Sequence, residues 1–108
     1  MRHDEMYINR FVNGENISMD INTYLSSFDE LIINRIMKYT STINGCWIWN
    51  GTRTKKGYGI FSLNNKQHRI HRFLYKSYFG DFDSKLEVNH KCLNKACFNP
   101  NHLELLTS

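Results

Sequence analysis

The stretch VNHKCLNKACFNPNHLELLTS, residues 88–108, decides how the rest of the chain is read. It gathers His90, Cys92, Cys97 and His102 within thirteen residues. Four residues separate Cys92 from Cys97, and four separate Cys97 from His102. A loop of that size can turn two thiolates and an imidazole onto one ion. Cys46, the remaining cysteine, opens an apolar segment far upstream. Three cysteines and a histidine make a full tetrahedral zinc set. One distant donor joined to a local cluster is how a structural zinc ties a small fold together. The competing reading is three buried free thiols and a surface histidine. His90 is left over from this set. A histidine fixed beside a rigid loop in a basic segment suits a general base that activates water against a phosphodiester. An ordinary strand-end histidine is the alternative.

Outward from this stretch, LEVNH (86–90) and HLELL (102–106) read as short strands flanking the cysteine loop. HRFLYKSYF (71–79) reads as a helix with Phe73, Leu74 and Ser77 or Tyr78 inward, stopped by Gly80 at C′. GYGIFSL (57–63) and KQHRI (66–70) read as a hairpin turned at Asn64-Asn65, since Asn tolerates positive φ. CWIWNG (46–51) contains a strand, and its alternation assigns Trp47 and Trp49 to core and metal-site packing. Further upstream, Ser27 with Glu30 fits a capping box. Phe28, Leu31, Ile32, Arg35, Ile36 and Tyr39 then share a helical face, and the helix is expected to end near Thr40, before Asn44-Gly45. Residues 1–23 are polar and Asn-rich, with no assignable pattern. Thr107 and Ser108 are N-cap residue types, so a further helix is expected to start there.

A length of 108 residues suits one small domain. We divide it into an extension over residues 1–44, with one helix, and a zinc-bearing domain over residues 45–108. Hydrophobic residues make up 41% of the chain, which builds only a thin core and favours a metal staple. No apolar run approaches the roughly 20 residues a membrane span needs. The start, MRHDEMYINRF, lacks a signal-peptide stretch. Three cysteines cannot all pair, which argues against a secreted disulfide framework. These features point to a soluble, intracellular protein. The net charge of +4 is uneven: residues 1–44 carry −2 and residues 45–108 carry +6. The basic part holds all three cysteines, which points to a polyanion partner.

The segments GCWIWNGTRTKKGYGIFSL, HRIHRFLYKSYFG and LEVNHKCLNKACFNPNHLELLT together resemble the HNH endonucleases of the ββα-metal, or His-Me finger, type. The zinc-stabilised branch found in phages and homing endonucleases is the nearest in kind. The resemblance covers roughly residues 44–108, and His90 through Leu103 is its most specific part. It implies an α+β fold: a small zinc-stabilised ββα-metal domain with an antiparallel hairpin and an N-terminal helical extension. It implies Cys46, Cys92, Cys97 and His102 as structural zinc ligands and His90 as the base. It implies Mg²⁺ or another divalent cation as catalytic cofactor. Asn89 stands where the family often has a metal-binding Asp, and a carboxamide binds Mg²⁺ more weakly than a carboxylate. Asn99-Pro100 looks like a structural turn. The family's final helix, with its metal-binding Asn or His, is expected beyond residue 108 and so is missing from this sequence.

The resemblance further implies a DNA endonuclease or nickase acting on double-stranded DNA. Arg72 or Arg69, with Arg72 preferred, would brace the phosphate as charge develops. Arg53, Lys55, Lys56, Lys66 and Arg69 on the hairpin, with Lys91 and Lys95 beside the zinc loop, would contact the DNA backbone. Asn50, Arg53 and Gln67 are candidates for base contacts. His3 and His68 are expected on the surface. The alternative is a catalytically inactive zinc-stabilised DNA-binding or regulatory module derived from such a nuclease. A homodimer, and a protein partner bound through residues 1–44, are both compatible with the sequence. A phage-encoded protein working in the host cytoplasm fits the Asn- and Ile-rich usage.

Overall fold

The computed structural model describes residues 19–107. His3 and most of residues 1–23 therefore lie outside the described part. The described chain runs α1 (Ile21–Tyr24), α2 (Glu30–Lys38), β1 (Thr40–Ile43), β2 (Cys46–Trp49), β3 (Ile60–Leu63), β4 (Lys66–Arg69), α3 (Ile70–Phe79), β5 (Leu86–His90), a 3-10 turn (Pro100–His102) and β6 (Leu103–Thr107). The strands form antiparallel pairs β1–β2, β3–β4 and β5–β6 among the described residues. The result is a small mixed α/β fold built on hairpins.

Turn chemistry sets two of these pairs. Asn44 and Gly45 take φ of 51° and 84°, and Ile43 pairs with Cys46 directly across them. Asn64 and Asn65 take φ of 53° and 65°, and Leu63 pairs with Lys66. Positive φ at both central residues matches the right-handed twist of the flanking strands. The Asn64-Asn65 turn is as expected, but β1 is not: the sequence reading ends a helix near Thr40 and assigns no strand before Asn44-Gly45. Two β-branched threonines and Ile43 before an Asn-Gly pair favour the strand.

Helix α2 also differs from expectation. Its cap is Asp29, whose carboxylate accepts the Ile32 N–H at 3.0 Å, and not Ser27. Leu31 is 78% exposed, while Ile36 is fully buried with Ile32 and Ile33 packed beside it. Arg35 reaches across to lie 4.7 Å over the Phe61 ring and donates to the Ser62 carbonyl at 2.9 Å. Helix α3 begins where β4 ends, buries Ile70, His71, Leu74, Tyr75 and Phe79, and stops at Gly80 with φ of 99°. Thr107, expected as a helix cap, is the last residue of β6.

One core gathers Tyr24, Leu25 and Ile36 with Trp47, Trp49, Phe61, Leu74, Tyr75, Phe98 and Leu103. It runs across the boundary expected at residue 44. Trp49 sits at its centre, with its indole N–H shared between the carbonyls of Thr52 and Ile60 at 3.1 and 3.0 Å. Gly59 makes this possible, because a Cβ there would lie 2.7 Å from Trp49 Cδ1 and 2.9 Å from Ile70 Cγ2.

Candidate metal centre and histidine cleft

β5 and β6 pair from Leu86–Thr107 through His90–Leu103, so residues 91–102 form an excursion from the closed end of a hairpin. The excursion is fastened to β2. Trp49 N–H donates to the Ala96 carbonyl and Phe98 N–H to the Trp47 carbonyl, both at 2.9 Å. The Asn99 amide donates to the Gly45 carbonyl at 2.7 Å, while its oxygen accepts the Asn101 N–H. Asn99-Pro100 thus pins the loop against the Asn44-Gly45 turn.

This fastening brings Cys46 to Cys92, Cys97 and His102, with the four donor atoms all within 4.8 Å of one another. The Sγ atoms of Cys46 and Cys97 lie 3.4 and 3.5 Å from His102 Nδ1. A tetrahedral zinc ion needs donor separations of roughly 3.5–3.8 Å, close to these two, and the other pairs would have to close only slightly from within 4.8 Å. Burial pushes the Cys46 and Cys97 thiols up. Burial, and then the Lys91 charge, push the His102 imidazole down, toward the neutral form that binds metal. A divalent cation would supply the charge that buried thiolates need. The four could hold a metal ion.

His90, at the end of β5, is 6% exposed, and its Nε2 lies 3.0 Å from the Cys97 carbonyl oxygen. A carbonyl only accepts, so Nε2 carries the proton in the neutral ring and Nδ1 is the accepting nitrogen. Burial lowers the His90 pKa; the Cys97 carbonyl opposes this and the Lys95 charge adds to it.

Beside His90 stands a residue the sequence reading did not single out as functional. His71 has its ring centroid 4.3 Å from that of His90, is 4% exposed, and leaves Nδ1 buried without a hydrogen bond. Its pKa falls to about 3, chiefly through burial and then through the charges of His90 and Arg69. The sequence did carry a signal. His71 shares a helical face with Leu74 and Tyr75, which makes it a histidine on a buried stripe. Tyr58 stacks on His71 at 5.6 Å and lies 5.9 Å from His90. An open cleft of about 520 Å³ ends on this group, lined by Lys56, Tyr58, Arg69, His71, Arg72, Glu87 and Val88.

The remaining candidate residues are dispersed. Arg72 donates to the Leu86 carbonyl at 3.0 Å and lies 4.9 Å over Phe82, so its guanidinium clamps α3 to β5. Arg69 lies 4.4 Å over Tyr58, and Lys95 lies 5.3 Å over the same ring. Arg53 donates from Nε to the Trp49 carbonyl at 2.9 Å. Lys55 and Lys56 are exposed in the loop before β3, Lys66 at the β3–β4 turn, and Lys91 just after β5. Asn89 projects from the exposed side of β5, where its amide donates to Glu104 at 3.0 Å. Strand alternation sets it on the opposite face from His90. Asn50 bonds to Ser41, and Gln67 is exposed. His68 is half-buried, stacked 4.5 Å from Phe73. Among the described residues, no helix is long and apolar enough to cross a membrane.

Comparison with known proteins adds a family. Protein 7.7 of Escherichia phage T7 is 37% identical over 62 residues, covering 57% of this chain and 48% of its own length. Protein 2.8 of the same phage is 39% identical over 80 residues, covering 72% of this chain and 52% of its own. The chain thus spans about half the length of the curated relatives it matches. No solved structure matches it. Residues 68–108, which include α3, His90, three of the four clustered donors and β6, match the HNH endonuclease family. Over that segment, the chain is similar to the HNH endonucleases.

Proposed function

We propose that this protein is a DNA endonuclease or nickase of HNH type, with His90 as the general base. The observation that carries the reading is the His90–Cys97 hydrogen bond at 3.0 Å inside the family-matched segment. That bond leaves Nδ1 as the proton acceptor, and the ring is held by His71 and Tyr58 on its other side. A general base needs this fixed tautomer and orientation before it can take a proton from water.

Cys46, Cys92, Cys97 and His102 would hold a structural Zn²⁺, whose role is to fix the loop that carries the Cys97 carbonyl. A catalytic Mg²⁺ or similar cation, when bound, would supply charge neutralisation at the phosphate and the leaving oxygen. Asn89 Oδ1 and the neighbouring Glu104 carboxylate lie on the face of β5 away from His90, so a cation at the cleft phosphate would have to be held by other groups. His90 Nδ1 takes the proton of the attacking water. Arg69, with no hydrogen bond to a backbone carbonyl among the described residues, is better disposed than Arg72 to meet the phosphate. Lys56 lines the same cleft, Lys95 lies over the Tyr58 ring that borders it, and Arg53, Lys55, Lys66 and Lys91 would extend the cationic surface for duplex DNA.

A second reading is a DNA-binding module without cleavage, favoured by one observation: the Asn89 amide is tied to Glu104 on the face away from His90. Nicking of supercoiled plasmid by the zinc-loaded protein separates the two. The expected result is Mg²⁺-dependent nicking that His90→Ala reduces by about 10²–10⁴-fold with zinc content and melting retained. Nicking by His90→Ala at the wild-type rate would remove His90 from the mechanism. Binding without nicking, from folded zinc-loaded protein, would leave the module reading.

A further inference from the structure

Tyr58 sits where four groups converge. Its ring stacks on His71, borders His90, and carries both the Arg69 guanidinium at 4.4 Å and the Lys95 ammonium at 5.3 Å. The ring is itself held in place. Its backbone N–H donates to Thr54 Oγ1 at 3.1 Å, and its carbonyl accepts the Thr54 N–H at 2.8 Å. A Cβ on Gly57 would lie 3.8 Å from Lys95 Cβ, so this loop abuts the zinc-loop segment directly.

Two cations on one ring repel each other. The two contact distances put them no further apart than about 10 Å, roughly one Debye length at 0.1 M salt, where like charges still repel. Among the described residues, neither forms an ion pair; Glu87 lines the cleft with Arg69 but lies outside ion-pair distance of both. An aromatic face stabilises each cation modestly and leaves its outward N–H groups free to donate. Such a pair is relieved by an anion.

We propose that Tyr58 is the positioning residue of a phosphodiester clamp, holding Arg69 and Lys95 as an uncompensated cation pair against the His71–His90 pair so that one backbone phosphate of a nucleic acid seats there. The choice of nucleic acid rests on the endonuclease reading; the clamp itself rests on the ring contacts. Tyr58 acts through the two cations and carries no charge of its own. That gives the proposal its test, because removing a neutral ring must change the electrostatics of binding.

The measurement is binding of a fluorescent DNA duplex to the zinc-loaded full chain, without Mg²⁺, across a range of salt concentrations. Lys95→Gln should make the log–log salt dependence shallower by about one, as expected for one lost phosphate contact. Tyr58→Leu should flatten it by about one to two, although it removes no charge. Tyr58→Phe, which keeps the ring, should restore the wild-type slope. A wild-type slope in folded Tyr58→Leu overturns the proposal, as does a Tyr58→Phe slope equal to that of Tyr58→Leu. If Tyr58→Leu does not fold, the exposed double variant Arg69→Gln/Lys95→Gln decides: a slope flattened by about two supports the clamp, and an unchanged slope overturns it. Wild-type protein that binds duplex in this way but never nicks defeats the endonuclease reading and leaves the clamp standing. Nicking with an unchanged slope in Tyr58→Leu defeats the clamp alone. Wild-type protein that binds no duplex overturns both.

Discussion

His71 is a buried base that the fold keeps uncharged. Its pKa is about 3 in the folded protein against an ordinary value of 6.5, and burial is the main cause. A histidine with a lowered folded pKa contributes its full stability above pH 6.5. That contribution is lost as pH falls from 6.5 toward 3, because the unfolded chain takes up the proton first. Between pH 7 and pH 5 the loss from this one ring is on the order of 1–2 kcal/mol. His71→Gln should therefore lose less stability than wild type over that interval, measured by urea unfolding at both pH values. The clustered cysteines and His102 are common to both proteins, so the difference reports on His71 and its coupling to His90. Equal losses in the two proteins would mean that His71 is charged or solvated in the fold.

At the scale of elements, the hairpin excursion between β5 and β6 is the unit that matters. Its sequence was legible because donor spacing is a local property: Cys92, Cys97 and His102 can be counted onto one ion without knowing the fold. Asn64-Asn65 and Gly80 were legible for the same reason, since each sets a positive φ at its own position. β1 was missed because Thr40–Ile43 follows α2 without a break, and only its pairing with β2 makes it a strand. The cap was placed at Ser27 because a capping box is a pattern of residue types, whereas the carboxylate that meets an orphan N–H belongs to Asp29. His71 and Tyr58 acquire their roles only through contacts between β5, α3 and the loop before β3, which no spacing rule encodes. The excursion also yields a prediction. Cys97→Ser or Cys46→Ala should lower zinc stoichiometry below one and destabilise the domain strongly, read by thermal melting and metal analysis, because metal binding and folding are coupled in sites of this size. Unchanged melting and unchanged zinc content would sink the metal assignment.

At the scale of the molecule, the N-terminal helices and the family-matched segment share one core. Ile36 from α2 and Tyr24 from α1 are buried with Trp47, Phe61 and Leu74. Ile36→Ala should cost about 2–5 kcal/mol, the usual range for a large-to-small change at a fully buried aliphatic site. The loss should appear in the same single unfolding transition that reports on the tryptophans. A separate early transition, with tryptophan fluorescence unchanged, would mean that α2 is an appendage.

The donor cluster has one more consequence, which concerns topology. Cys46 belongs to β2, and the other three donors follow only from residue 92 onward. With a cation in place, the chain is closed into a ring that contains β3, β4, α3 and β5. Closing so long a ring costs chain entropy, and that cost falls on the unfolded state whenever the link is kept. The ion then behaves as a reversible cross-link whose strength is set by the solution around it. A protease cut within the loop before β3 would leave two fragments still joined at the cluster. The shared core would hold them as well, and chelation would remove one of the two ties.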